Sequence, residues 1–431
     1  MAGVNNSKPR IRCFGYSRIH KVPSDLLRGC PARDHGIKGE GNMPTTLHNE
    51  AAIAGIGQTA YSKNSGVSEL QLATEAVRAA IDDAGIHPSE VDGLVTYTMD
   101  SSDEVEVART VGIGDMTYWS QVNYGGGAAV GLITHAAMAV ATGQAKNVVV
   151  YRALNGRSGQ RMGQGVSGNI ISSDLIHWSW YMPFGLLTPA SWIALQANLY
   201  MEKYGATSEH LAHVAITQRM HAQNNPNAAM YGKPMTMDDY MNSRMVCEPL
   251  RLFDCCQEDD GGVALLITTP ERAKDMKQKP AVMRAVTQAS FEGQEQMTSF
   301  YRDDLAALPE MELAAKIVYE MSGLGPKDID ASCLYDAFTP EILMQLEAFG
   351  FCGKGEAKDF VTADSLTIGG ALPNNTHGGL LSEAYMHGVN NIVEGVRLIR
   401  GESCNQPEDV EHVLVTSGVG VPTGAVIFGQ A

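Results

Sequence analysis

The chain lacks several features that would identify its chemistry quickly. It has no Cys-x-x-Cys pair. Its eight cysteines, Cys13, Cys30, Cys247, Cys255, Cys256, Cys333, Cys352 and Cys404, are scattered. That spacing excludes a zinc ribbon or a thioredoxin-type motif within it. Adjacent Cys255 and Cys256 read as buried or lining thiols, and the whole pattern suits a reducing, cytoplasmic setting. No apolar run approaches the ~20 residues of a membrane helix, so no membrane insertion is expected. Positive charge is scarce: 32 Lys and Arg stand against 48 Asp and Glu, a net charge of −16. A balance this acidic argues against nucleic acid or an anionic membrane as the main partner, while leaving room for a local phosphate-binding patch. Residues 1–42 lack hydrophobic periodicity, and they also lack the apolar core of a secretory signal. They read as a disordered extension, or as a stretch ahead of a true start at Met43.

Beyond Met43 the chain is rich in pattern, and an internal repeat sets its architecture. Pro88-Ser89-Glu90-Val91-Asp92-Gly93-Leu94-Val95-Thr96-Tyr97 aligns with Pro326-Lys327-Asp328-Ile329-Asp330-Ala331-Ser332-Cys333-Leu334-Tyr335. Each copy follows an amphipathic helix, Leu70–Ala84 or Leu305–Met321, and leads into a short apolar strand. Further strands are predicted near 51–57, 147–151, 281–291, 413–416 and 425–429, with helices over 127–142, 340–349 and 381–400. Strands alternating with helices predict an α/β protein of mostly parallel sheets covered by helices. The reading gives two related βαβαβ halves, residues 43–275 and 276–431. Residues 155–254, rich in Met, Trp, Tyr and His and poor in strand pattern, form an inserted loop domain in the first half. Within it, the run His177–Phe184 reads as core, as dimer interface or as an apolar ligand wall.

Four segments at strand ends carry the candidate chemistry, where ligands of such sheets collect. Asn123-Tyr124-Gly125-Gly126-Gly127 turns a strand into a helix and offers backbone N–H groups to an anion or oxyanion. Asn374–Gly388 contributes His377, Gly378, Gly379, Glu383, Tyr385 and His387. Tyr335-Asp336-Ala337-Phe338 precedes a helix, and Ser417-Gly418-Val419-Gly420 forms a loop between two strands. The stretch Gly55-Ile56-Gly57-Gln58-Thr59-Ala60 superficially fits a dinucleotide fingerprint. The following helix begins near Ser68, away from the glycines, so a tight strand-end turn is the preferred reading.

These blocks, taken in order, resemble the thiolase superfamily in its sterol-carrier-protein or lipid-transfer-protein branch. The matching segments are Asn123–Leu132, Asp259-Asp260-Gly261-Gly262, Tyr335–Phe338, His377-Gly378-Gly379 and Ser417–Gly420. Tyr204–His210 with Asn224-Asn225-Pro226 resembles that branch's loop domain. The resemblance covers nearly all of Met43–Ala431 and implies the thiolase fold, with helices and sheets in αβαβα layers. The departures are as informative. The family's nucleophilic cysteine falls on Gly125, its catalytic histidine on Tyr385, its second cysteine on Ser417, and the residue heading its central block on Tyr335. Acyl transfer through a covalent thioester has lost every group it needs.

The substituted pattern is similar to the steroid side-chain-cleaving aldolases of that branch. It implies retro-aldol cleavage of a β-hydroxyacyl-CoA to a ketone and a short acyl-CoA such as propionyl-CoA. No cofactor or metal is called for beyond the CoA thioester substrate. Tyr385 would take the hydroxyl proton and Tyr335 would act on the enolate, with the pair better founded than the direction. A free tyrosine has a pKa of ~10, so a base near neutrality needs help from its surroundings. Gly125, His377, Gly378 and Gly420 are candidate oxyanion or substrate contacts, His377 being equally suited to capping a turn. Asn123, Tyr124, Asp336 and Ser417 are candidate pocket residues. Asp336 reads as a cap for the helix at Pro340 or as a group orienting a tyrosine, Ser417 as a filler of the second cysteine's place, and His387 as a local structural or surface group. The resemblance further implies a homodimer flanked by a small companion subunit with an OB-fold and a zinc ribbon. Two other readings remain: a non-catalytic acyl-CoA or lipid-binding scaffold, and a residual thiolase or acyltransferase working through Cys255 or Cys352.

Overall fold

The computed structural model describes residues 47–98, 100–123, 125–159, 161, 181–292, 300, 302–420 and 422–431. The extension 1–42, Tyr124 and the first half of the His177–Phe184 run, residues 177–180, lie outside the described residues.

Eleven strands and nine principal helices build the described chain. The strands are β1 (Ala52–Gln58), β2 (Gly93–Tyr97), β3 (Tyr118–Val122), β4 (Val148–Asn155), β5 (Met245–Cys247), β6 (Leu250–Arg251), β7 (Asp260–Thr268), β8 (Ala281–Ala289), β9 (Ala331–Cys333), β10 (His412–Thr416) and β11 (Thr423–Gly429). The helices are α1 (Glu69–Ala84), α2 (Glu104–Val111), α3 (Ala129–Ala141), α4 (Pro189–Tyr204), α5 (Ser208–Ala222), α6 (Pro309–Ser322), α7 (Thr339–Ala348), α8 (Gly379–Ser382) and α9 (Val389–Arg400).

Nine strands form one continuous ladder in the order β3-β2-β4-β7-β1-β8-β11-β10-β9. The order reads the same outward from the β1–β8 seam, where Ala52 pairs with Val282 and Ile53 with Ala281. On one side β1, β7, β4 and β2 follow; on the other β8, β11, β10 and β9 repeat the same arrangement. The aligned repeat is realised element by element. Helices α1 and α6 end at left-handed Gly85 and Gly323, short 3-10 turns follow at Pro88–Glu90 and Pro326–Asp328, and β2 and β9 come next. Tyr97 and Tyr335 are thus equivalent residues of the two halves.

The sheet is not mostly parallel. Only β2–β3, β2–β4 and β9–β10 run parallel, whereas β7 and β11 reverse direction against both neighbours. All nine residues of β7 are buried, so its pattern is continuously apolar rather than alternating. Such a run does not announce strand direction.

Layering follows from which helices are apolar all round. In α3, Ala-Val-Gly-Leu-Ile-Thr-His-Ala-Ala-Met-Ala-Val-Ala, ten of thirteen residues are buried. Together with α9 it fills the space between the two halves of the sheet, against Val95, Val150, Leu265, Met283, Val415 and Phe428. Helices with one apolar stripe lie outside: α1 and α2 cover the first half and α6 the second, while α7, with eight of its ten residues buried, is itself covered by α5. The result is the five-layer αβαβα arrangement.

Two expectations change. Gly55 and Gly57 lie inside β1 rather than in a strand-end turn. A Cβ on either would overlap a backbone carbonyl of α1, at Ala80 and Ala76, so these glycines serve close helix–strand packing. The segment 155–254 is less an appendage than expected. Tyr200 of α4 and Leu211, Val214 and Ala215 of α5 join the core beneath α6 and α7, and α5 packs over α7 and α8. Among the described residues no helix is long and apolar enough to cross a membrane.

Candidate active site

The predicted helix 381–400 is two helices. Between α8 and α9 the chain breaks over Glu383–Gly388, and Tyr385 stands on that break. The apolar spacing of Leu381, Ala384, Val389, Ile392 and Val396 suits one continuous helix. His387 and Gly388 instead adopt positive φ values of 52° and 84°, which no helix accommodates.

Tyr335 enters from the other side, two residues after β9. A ring of hydrogen bonds clamps its backbone. Its N–H donates to Thr416 Oγ1 (2.9 Å), the Thr416 hydroxyl donates to Gln345 Oε1 (2.6 Å), and Gln345 Nε2 donates to the Tyr335 carbonyl (2.6 Å). Its side chain fills a slot walled by three glycines. A Cβ on Gly126 would overlap the Tyr335 hydroxyl, one on Gly388 would stand 2.9 Å from the ring, and one on Gly418 would stand 3.2 Å from it. Gly418 N–H also donates to Gly126 O at 2.9 Å, tying the two glycine turns together.

The two tyrosines meet there. Their hydroxyls are 2.8 Å apart, with the rings edge to face at 6.4 Å between centroids. Tyr335 is buried, at 3% exposure, whereas Tyr385 keeps part of its surface open. Burial raises both phenols well above an ordinary tyrosine. The shared hydrogen bond then separates them: it raises Tyr335 further and lowers Tyr385, and the Arg152 guanidinium also lowers Tyr385. For Tyr385 the hydrogen bond and Arg152 thus offset part of the rise that burial, Cys256 and Glu341 cause.

The remaining candidates divide. Gly125 opens the Gly125–Ala128 turn at φ 32°, but the residue against the phenol is its neighbour Gly126. His377 is fully buried, with Nε2 3.2 Å from Asn391 Oδ1 and 3.6 Å from Glu383 Oε2. Those oxygens place its proton on Nε2 and leave Nδ1, which has no partner among the described residues, as an acceptor. With its proton on Nε2 and Nδ1 bare, His377 offers no free N–H to an oxyanion. The backbone N–H of Gly378 donates to Asn375 O (2.8 Å) and that of Gly420 to Glu310 Oε1 (3.2 Å), so both are occupied within the fold.

Asp336 caps a helix other than the expected one. Its carboxylate accepts from Leu380 N–H (3.0 Å) and Leu381 N–H (3.2 Å) of α8, holding the His377-Gly378-Gly379 turn against β9. Ser417 Oγ accepts from Val130 N–H (2.8 Å) in the first turn of α3, where helical amides lack internal partners. Asn123 lies exposed at the end of β3 and accepts from the Thr98 hydroxyl (2.9 Å). His387 is not at the surface: it is buried beside Tyr385, their ring centroids 4.9 Å apart.

Neither thiol read as a residual nucleophile, Cys255 or Cys352, is activated. Burial pushes Cys255 up to about 12, with Asp254 adding to it, and likewise raises Cys352 to about 12 and Cys256 well above a free thiol.

Two family models match the chain, "Thiolase, N-terminal domain" over residues 50–271 and "Thiolase C-terminal domain-like" over 292–429. A protein of Thermomonospora curvata described as a steroid side-chain-cleaving aldolase is 55% identical over 387 residues, 89% of this chain and 99% of that protein. A Mycobacterium tuberculosis protein described as 17-hydroxy-3-oxo-4-pregnene-20-carboxyl-CoA lyase is 53% identical over 385 residues, 89% of this chain and 100% of that one. A solved structure described as "Ltp2-ChsH2(DUF35) aldolase" superposes with a TM-score of 0.86 at 55% identity, covering 89% of this chain and 98% of that one.

Proposed function

The chain belongs to the thiolase superfamily, and from that premise we infer that it is a carbon–carbon lyase, an acyl-CoA retro-aldolase acting on steroid side chains. The observation that carries the reading is the 2.8 Å contact between the Tyr335 and Tyr385 hydroxyls, with Tyr385 where acyl transfer would need a histidine and Tyr335 at the head of the central block. The relatives named as an aldolase and a pregnene-carboxyl-CoA lyase support the reaction class and the steroid substrate.

The chemistry follows from the geometry. Tyr385, as phenolate, accepts the β-hydroxyl proton. The Cα–Cβ bond breaks, Cβ becomes a ketone carbon, and the bonding pair passes to Cα as an enolate of the thioester. Tyr335 gives its proton to Cα. After one turnover Tyr385 holds a proton and Tyr335 has lost one, and a shift of that proton along the 2.8 Å hydrogen bond restores the starting state. In 17-hydroxy-3-oxo-4-pregnene-20-carboxyl-CoA the hydroxyl-bearing carbon 17 is β to the thioester and carbon 20 carries a methyl group. Cleavage there gives a 17-ketone and propionyl-CoA.

A scaffold that only binds acyl-CoA has no use for two phenols in hydrogen-bond contact inside a glycine slot. A residual thiolase is disfavoured by the raised cysteines. The solved structure's description as "Ltp2-ChsH2(DUF35) aldolase" supports a companion subunit for this chain, for which the family resemblance implies an OB-fold and a zinc ribbon. Among the described residues strand β3 ends the sheet, with Trp119 62% exposed, an edge suited to a second copy of the chain, and so to the expected homodimer.

The test is direct. The chain, with a companion of the two-component type, is given 17-hydroxy-3-oxo-4-pregnene-20-carboxyl-CoA, and ketone and propionyl-CoA are measured by mass spectrometry. Equal amounts of both are expected, and Tyr385→Phe and Tyr335→Phe should each lose about 10²–10⁴-fold in kcat. Full activity in either folded variant would overturn the mechanism.

A further inference from the structure

His387 follows Tyr385 by two residues and is 1% exposed. Its Nδ1 lies 2.9 Å from Arg152 Nε. A guanidinium can only donate, so Nδ1 is the bare nitrogen and the ring proton sits on Nε2. That buried Nε2–H has no partner among the described residues. The ring is held on three sides. It meets Tyr385 edge to face at 4.9 Å and Tyr97 at 5.7 Å, and the Tyr97 hydroxyl donates to the His387 carbonyl at 3.2 Å. Arg152 stands 5.2 Å over the Tyr97 ring and is ion-paired with Asp100, both side chains being almost wholly buried. Asp100–Arg152–His387–Tyr385 is thus a continuous chain of contacts, inside the protein, ending on a reactive phenol.

We propose that Arg152, paired with Asp100 and fixed on His387, is a positioning residue whose charge selects Tyr385, rather than Tyr335, as the tyrosine that takes the substrate proton. The proposal rests on the aldolase reading of the tyrosine pair. Its logic is electrostatic. The groups facing Tyr385 are Tyr335 after β9, Glu341 of α7, Cys256 before β7, Asp259 at its backbone amide, and Arg152 of β4. Arg152 is the cation among these, and burial leaves its charge weakly screened. Neutral His387, whose protonation is opposed by burial and by Arg152 itself, holds the guanidinium at the phenol's edge without adding charge. A buried guanidinium without Asp100 would be costly, which accounts for the pair.

The experiment measures kcat and KM against pH for the assembled enzyme acting on 17-hydroxy-3-oxo-4-pregnene-20-carboxyl-CoA. Arg152→Met removes the cation, makes the Tyr385 phenolate harder to form and moves the acidic limb of kcat up by about one pH unit. Asp100→Asn leaves the cation uncompensated and moves the limb down. His387→Leu releases Arg152 and moves it up, whereas His387→Gln keeps an acceptor for Arg152 and restores the wild-type profile. KM stays within about twofold throughout. A purely structural role would lower kcat equally at all pH values and would not give displacements of opposite sign. If Arg152→Met gives no folded protein, Asp100→Asn and His387→Leu carry the same test. A limb that stays in place in the folded charge variants, while Tyr385→Phe is inactive, overturns this proposal alone. A fully active Tyr385→Phe overturns the aldolase mechanism and this proposal with it.

Discussion

Gly126 and Tyr335 occupy one space. The phenol lies where any side chain on Gly126 would have to begin, and a Cβ there would sit 2.8 Å from ring carbon Cε2 and overlap the hydroxyl. The glycine-rich elbow is therefore part of the tyrosine's pocket. Gly126→Ala should displace the phenol and lose kcat to within about tenfold of Tyr335→Phe, through loss of the same proton transfer. Wild-type turnover in a folded Gly126→Ala variant would mean that Tyr335 acts from another position.

Ser417 stands in a cysteine's place but serves as a cap. Ser417→Ala should cost about 1–3 kcal/mol by orphaning Val130 N–H, read from urea unfolding, and leave kcat within a few-fold of wild type. Complete loss of turnover with unchanged stability would restore Ser417 to the chemistry.

Cys255, Cys256 and Cys352 should not matter at neutral pH. Cys255 and Cys352 titrate at about 12 and Cys256 lies well above an ordinary thiol, so their thiolate fractions at pH 7 are negligible. Treatment with iodoacetamide at pH 7 should leave activity intact, and stoichiometric inactivation would refute this.

Asp336 carries a pH signature. Burial raises its carboxyl to about 6 against the donors Leu380 and Leu381, whereas in the unfolded chain an aspartate titrates near ~3.9. A carboxyl raised in the folded state contributes stability that is full below the unfolded pKa and is lost as pH rises through the folded one. The stability of wild type relative to Asp336→Asn should therefore fall between about pH 4 and pH 6, by up to about 3 kcal/mol. Parallel unfolding free energies across that range would contradict the assignment.

What the sequence conveyed was position, and what it withheld was proximity. The repeat ending in Tyr97 and Tyr335 was legible because local helix–turn–strand chemistry recurs in both copies, and it led to the two related halves; the five-layer order came from the family resemblance. Tyr335 and Tyr385 were legible because they replace family residues at fixed offsets from glycine turns. Strand direction in β7 was not, because a strand buried on both faces has the same apolar pattern either way round. The break under Tyr385 was hidden because Leu381–Val396 keeps helical spacing and only the backbone angles of His387 and Gly388 reveal it. Asp336 was expected to cap the nearest helix, and its true partners lie more than forty residues on. Arg152 and Asp100 carried no motif at all. Their meaning arises when β4 is laid beside the turn after α8, a contact set by tertiary packing.

The kinship of Tyr97 and Tyr335 has a mechanical consequence. Both stand at the ends of matching strands, one in each half, and both grip the turn bearing Tyr385: Tyr97 through the His387 carbonyl, Tyr335 through the phenol of Tyr385 and the face of Gly388. The six residues from Glu383 to Gly388 are thus held as in a vice with one jaw on each half of the molecule. The oxygen-to-oxygen spacing of the two phenols then acts as a gauge of how the halves are seated. A force that slides one half against the other would be felt first at the proton it carries.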